Sequence, residues 1–250
     1  MLLGLIIVKF VLQYILISRE YELHRDEFLH LDQGKHLAWG YISVPPVTSW
    51  ISWLIHLLGG GVFWVKFFPF LFGALTILLV WKMTEELKGG IFACLLAAVS
   101  LLVSAVLRLN ILYQPNSFDV FFWTLTYYTL FKIITTGKAK WYYAAALSLA
   151  FGFLSKYNIL FLVAGLFPAL LISPQRKILV NKQFFTGLGL ALLLVLPNLL
   201  WQFQNHFPTV SQLKELAETQ LVNVNRFNFL KDPGLILLLF SENKVCYAYG

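Results

Sequence analysis

An all-α helical bundle set in a membrane is the fold class this sequence predicts, and three observations predict it. The 250-residue chain is 59% hydrophobic, with a mean hydropathy of +0.73. Only 12% of its residues are charged, where soluble domains carry about a quarter. The apolar residues fall in long runs, of the length that crosses about 30 Å of hydrocarbon. One membrane domain and no soluble one follows. The net charge of +7 does not point to nucleic acid, because the basic residues are scattered through loops. Anionic lipid headgroups are the expected partner. Cys94 and Cys246 are far apart and Cys94 lies in an apolar run, so no disulfide framework is expected.

In chain order, spans are expected at 2–18, 62–82, 91–107, 117–134, 141–155, 157–173 and 184–201, about seven in all. The first has no basic leader and no small-residue cleavage site, so it reads as an uncleaved membrane helix. An eighth run opens at Gly234-Leu235-Ile236 and dissolves by Ser241-Glu242-Asn243-Lys244, too short to span. The expectation is a chain that stops partway through a membrane domain, a C-terminally truncated or frameshifted product.

Residues 19–61 form the first loop, with two helices expected along the membrane surface. If 26–39 is helical, Asp26 and His30 share one side, because positions four apart stack. Phe28, Leu29, Leu31 and Leu37 then lie against the bilayer. The second helix covers 46–58, with proline in its first turn and Gly59-Gly60-Gly61 as its stop. Its Trp50 and Trp53 suit a membrane interface.

The connections sort into two sides. Lys82, Lys88, Lys132, Lys138, Lys140, Arg176, Lys177 and Lys182 lie in three short loops. Arg19, Arg25, Lys35, Arg108, Lys156, Lys214, Arg226 and Lys231 lie opposite. The two counts tie, and density makes the short loops cytoplasmic. Nearly all the acids fall on the outer side, including Glu20, Glu22, Asp26, Glu27, Asp32, Asp119, Glu215, Glu218 and Asp232. Only Glu85 and Glu86 sit in an inner loop. This asymmetry predicts an outward-facing polar site in a multi-pass protein, in the plasma or inner membrane of a bacterium.

The paired carboxylates Asp26 and Glu27, just outside a membrane helix, suit proton transfer or metal binding. A solvated loop with an N-cap Asp is the competing account. Asp119 lies just inside the fourth span, where an acid costs about 2.5–3.5 kcal/mol and needs a partner or a cavity. Asn116 stands one turn before it; alternatively Asp119 caps the helix end. Lys156 separates two apolar runs, where a cation meets a lipid phosphate or snorkels. Arg108 has the same two readings. Residues 197–208 supply aromatic faces and amides, which suit sugar recognition and also any membrane interface. P-loop, H-E-x-x-H and G-x-S-x-G motifs are absent, and no nucleotide cofactor is expected.

Together these segments resemble the polyprenyl-phosphate-sugar-dependent membrane glycosyltransferases. This GT-C group includes the protein O-mannosyltransferases and the lipid A aminoarabinose transferase. The likeness runs over roughly residues 1–235. Its most specific element is Asp26-Glu27 after the first span, with Pro45-Pro46 at the family spacing. Asn116–Trp123, Gly152–Tyr157 and Pro197–Pro208 also look like family segments. The resemblance implies a GT-C-like domain over 1–240, with 241–250 a tail unlike the family. It implies transfer with inversion, from a sugar on undecaprenyl or dolichyl phosphate to a hydroxyl or phosphate of a lipid, glycan or protein acceptor. Asp26 is the implied general base or acceptor-orienting group, with Glu27 in support. Asn116, Asp119, Lys156, Arg108, His30, Pro45 and Pro46 are the implied substrate-binding residues, and Mg²⁺ or Mn²⁺ is a candidate cofactor. Three departures stand out: Val44 where lipid A transferases often have lysine, Leu29-His30 where they have Arg-Tyr, and Asn116 at the usual aspartate, with Asp119 one turn later.

Two rival readings remain at this point. A transporter or lipid flippase would show paired interrupted helices in two repeats, and no such repeat is visible. An inactive fragment would keep only the lipid-binding half of a glycosyltransferase.

Overall fold

A computed structural model of the chain describes residues 1–17 and 23–219. Among these the regular structure is helical: α1 (Leu2–Leu16), α2 (Arg25–Gln33), α3 (Val47–Leu57), α4 (Val62–Glu86), α5 (Ile91–Leu102), α6 (Ala105–Leu109), α7 (Pro115–Thr136), α8 (Ala139–Ser155), α9 (Ile159–Ile172), a 3₁₀ turn (Pro174–Val180), α10 (Lys182–Gln204) and α11 (Pro208–Thr219). The all-helical bundle of apolar helices predicted from the sequence is what forms. The expected eighth run, the tail at 241–250 and the acids Glu20, Glu22 and Asp232 lie outside the described residues.

The helices pack in a row, α5 on α4, α4 on α7, α7 on α8 and α8 on α10, with α1 against α4 and α5. Aromatic residues fill the middle, where Phe72 of α4 meets Phe118, Phe121 and Phe122 of α7 edge-on or tilted. A second core joins Ile77 and Trp81 to Cys94, Ala98 and Leu102. A third seats Val47 of α3 on Ala150, Leu154 and Val195.

Helices stand at all seven expected spans, but their lengths differ from expectation. Among the described residues only α4 and α10 are long and apolar enough to cross a membrane alone. α9 with its 3₁₀ turn makes a third if the pair, bent by 114°, is one span. The 91–107 run is not one helix. It breaks after Leu102, where Ser104 Oγ accepts from Val106 N and starts α6. α7 has 22 residues but carries Asn116, Asp119 and several threonines.

Both surface helices are present. α3 matches its expected bounds closely. α2 is shorter than 26–39, because the chain turns at Gly34 and approaches α3. A Cβ on Gly34 would fall 2.5 Å from Ser52 Cβ, so the close crossing needs glycine. Tyr41 then secures the turn, its hydroxyl donating to His36 O at 2.9 Å and accepting from Ala38 N at 3.1 Å. Phe28, Leu29 and Leu37 are exposed as expected. Leu31 is not: it packs on the buried cluster of Ile55, Val65 and Tyr113.

The contacts place 24–57, 110–117, 155–158 and the end of α10 at one end of the bundle. At the other end Lys132 reaches Glu86 at 2.8 Å and Tyr128 donates to it at 2.9 Å.

Candidate functional site

The site is built around the start of α2. His24 N donates to Glu27 Oε2 at 2.7 Å, and His24 Nδ1 accepts from Asp26 N at 3.2 Å. This capping box satisfies helix-end donors that would otherwise be orphaned. Glu27 is 0% exposed. Lys66 of α4 donates to both its oxygens at 2.7 Å, and Tyr113 N donates to Oε1 at 2.7 Å. One carboxylate therefore pins α2, α4 and the loop before α7. Tyr113 continues the lock, its hydroxyl donating to Thr48 O at 2.6 Å. Burial pushes that phenol far up, so it stays protonated.

Asp26, next in sequence, faces the other way, with its side chain 38% exposed. Its Oδ2 accepts from Gln114 Nε2 at 3.0 Å, and Arg25 Nε lies 3.4 Å from Oδ1. Gln114 Oε1 accepts from Asn116 Nδ2 at 3.1 Å, and Asn116 Oδ1 accepts from Lys156 Nζ at 2.7 Å. A continuous polar track thus runs from a carboxylate to an ammonium. Asp119 lies within the electrostatic reach of Lys156. Its Oδ1 is buried without a hydrogen-bond partner, as is Trp123 Nε1 one turn on.

The residue after Lys156 extends the site to the end of α10. Tyr157 OH donates to Asn198 Oδ1 at 3.2 Å and accepts from Gln202 Nε2 at 2.9 Å. Asn198 Nδ2 holds the Trp39 carbonyl at 2.6 Å. Gly40 lies against the Trp201 ring, where a Cβ would come within 2.5 Å. The exposed Trp39 ring stands edge-on to Trp50.

The fold therefore brings together Asp26, Glu27, Asn116, Asp119 and Lys156. It places the other expected residues elsewhere. His30 is buried between α2 and α3, its Nδ1 3.2 Å from Gln33 Oε1. Burial lowers its pKa and keeps it neutral. Pro45 and Pro46 are buried, and the Pro46 carbonyl accepts from Ser49 Oγ at 2.7 Å at the start of α3. Pro46 is the N-cap residue of α3. Arg108 is exposed on the short α6.

Lys66, Tyr113 and Gln114 received no role from the sequence. Lys66 did carry a signal, as a lone cation inside an apolar run. Lys9 is a second such lysine: it is buried and donates to Gln13 Oε1 and to the Phe70 carbonyl, bracing α1 on α4. Among the described residues no three of His, Cys, Asp and Glu converge to hold a metal ion. The oxygens of Glu27 are already taken by Lys66, Tyr113 N and His24 N. The acid pair thus offers a divalent cation one open carboxylate, that of Asp26, and the expected Mg²⁺ or Mn²⁺ finds no assembled ligand set there.

Comparison with known proteins adds two findings. The family described as dolichyl-phosphate-mannose-protein mannosyltransferase has a model that matches residues 43–201. That segment contains Lys66, Gln114, Asn116 and Lys156, and begins after the Asp26-Glu27 pair. The lipid A galacturonosyltransferase RgtD of Rhizobium johnstonii is 23% identical over 202 residues, 80% of this chain and 42% of the relative. The chain thus spans about two-fifths of that relative's length. No solved structure matches significantly.

Proposed function

From the chain's membership of the dolichyl-phosphate-mannose-protein mannosyltransferase family, we propose that it moves a sugar from a polyprenyl-phosphate donor to an acceptor at the outer membrane face, with inversion. The observation that carries this reading is the polar track from Asp26 to Lys156. It holds a half-exposed carboxylate and a half-buried ammonium at one end of an apolar bundle. A base for the acceptor and a cation for the lipid phosphate are the two charges this transfer needs.

In the reaction the acceptor hydroxyl gives its proton to Asp26 as its oxygen attacks the anomeric carbon. The bond from that carbon to the phosphate oxygen breaks, and the electron pair leaves with the polyprenyl phosphate. Lys156 meets the charge that grows on the leaving phosphate. Glu27 acts at a distance, by fixing the turn that presents Asp26. Trp39 and Tyr157 supply ring faces for the sugar and acceptor, and the buried amides of Asn198 and Gln202 hold those two residues in place. The family is named for mannose and protein, and the relative for galacturonic acid and lipid A. Lipid, glycan and protein acceptors all fit the same chemistry.

The donor test uses undecaprenyl phosphate, which reads the headgroup without a sugar. Lys156→Ala in lipid nanodiscs is expected to weaken its binding about tenfold or more, the value of a charge-assisted hydrogen bond. Lys156→Arg keeps most of the affinity. Equal and negligible effects in both would leave Lys156 a snorkelling residue and remove the phosphate site from the proposal. Turnover is followed with polyprenyl phosphates bearing mannose or galacturonate.

Orientation is tested separately. Ser43 is exposed in the first loop, which is proposed to face the periplasm or exterior because the denser basic loops lie opposite. A cysteine at position 43 reacts with an impermeant thiol reagent on intact cells. Labelling only after lysis would invert the topology.

A further inference from the structure

Two amide side chains separate Asp26 from Lys156, and the charges at the ends fix how each amide points. An ammonium only donates, so Lys156 takes Asn116 Oδ1. That leaves Asn116 its Nδ2, which donates to Gln114 Oε1. Gln114 then presents Nε2 to Asp26, whose carboxylate only accepts. Turning either amide over would set donor against donor and acceptor against acceptor. The three bonds run in one direction, and each polarises the next.

The position of Gln114 strengthens the point. It is the N-cap residue of α7, followed by Pro115, and it is held extended at φ −142 and ψ 164. Ser, Thr, Asp and Asn in that position turn their short side chains back onto the helix-end N–H groups, and the longer glutamine does not suit that role. Gln114 makes no such cap bond. Its side chain is spent on Asp26 and Asn116 instead, across 88 positions of sequence in the first case.

We propose that Gln114, acting with Asn116, is a positioning residue that ties the base to the phosphate-binding lysine as one unit. This rests on the reading of Asp26 as base and Lys156 as phosphate ligand. Lys156 has three N–H donors and gives one to Asn116, so a phosphate can take the others without breaking the relay. Gln114 holds Oδ2 of Asp26, and Oδ1 keeps only the long 3.4 Å contact to the exposed Arg25, which an acceptor hydroxyl can displace. An unheld carboxylate on a half-exposed side chain would lose the near-attack geometry that transfer requires. Engagement of the donor phosphate by Lys156 thereby sets the aim of Asp26.

The test is Gln114→Glu, nearly isosteric, which removes the donor and sets a second carboxylate against Asp26. Gln114→Met, uncharged and of similar length, carries the same expectation should the acidic variant fail to fold. Both are expected to lower kcat about tenfold to a hundredfold, the worth of one hydrogen bond to a charged group. The donor is whichever of polyprenyl-phosphate mannose or galacturonate the wild type consumes. The Kd for undecaprenyl phosphate stays near wild type, because Lys156 and Asn116 are untouched. A residue that merely supported α7 would lower Tm and leave kcat intact. Wild-type kcat in the Gln114 variants, with Asp26→Asn inactive, overturns the relay alone. Full activity in Asp26→Asn overturns the reading beneath it.

Discussion

Lys66→Met is expected to lower the stability of the folded chain by about 3–5 kcal/mol, the cost of removing one partner from a buried ion pair. The reason lies in what remains. Glu27 is fully enclosed, and Lys66 supplies two of the four hydrogen bonds its carboxylate accepts. Without the ammonium, a carboxylate stays buried against two backbone N–H groups. Methionine fills the space of the lysine stem and adds no cavity, so the loss is electrostatic. The double variant Lys66→Met with Glu27→Gln should recover a large part of it. Glutamine keeps a neutral acceptor for Tyr113 N and His24 N, and it leaves no charge behind. Thermal unfolding in detergent measures both. Equal melting of the single and double variants would show that the pair acts through packing alone. Unfolding should begin at α2, whose first turn the pair anchors to α4, so Asp26 loses its place before the bundle melts.

The same pair shows what a sequence can and cannot reveal here. Composition and run length identify a bundle of apolar helices, since burial in lipid demands exactly that of every span. α3 was legible because Pro46 and Gly59-Gly60-Gly61 bracket it. The end of α2 was not, because nothing local says that Gly34 must pass within van der Waals contact of Ser52. The break after Leu102 hides inside an apolar run, marked only by Ser104. The acid pair was legible as two carboxylates, but not the division of labour between them. Glu27 turns inward because Lys66, 39 positions away, waits there. Asp26 turns outward to Gln114. Long-range pairings of this kind leave no periodic trace. A lone lysine in an apolar run is the trace they do leave, and both Lys9 and Lys66 carry it.

Asp26→Asn is expected to lower transfer at least about 100-fold, the low end of what a positioned general base contributes. The substitution keeps size and shape, and it keeps an oxygen to accept from Gln114 Nε2. It removes the only open carboxylate of the acid pair. Three arguments single out Asp26. Glu27 has no oxygen to spare, being saturated by Lys66, Tyr113 N and His24 N. Asp119 lies within a helix beside Lys156 and has one oxygen buried without a partner, a position suited to steadying the cation. Asp26 alone combines exposure with a hydrogen-bonded link toward the proposed phosphate site. Because the side chain is half exposed and bears no buried ion pair, the variant should fold with unchanged Tm and bind undecaprenyl phosphate as wild type does. The loss therefore appears in kcat and not in donor Kd, and single-turnover kinetics with saturating donor separates the two. Full activity in Asp26→Asn, together with loss in Asp119→Asn, would move the base to α7. The acceptor would then approach from the side of Trp123 rather than from the first loop.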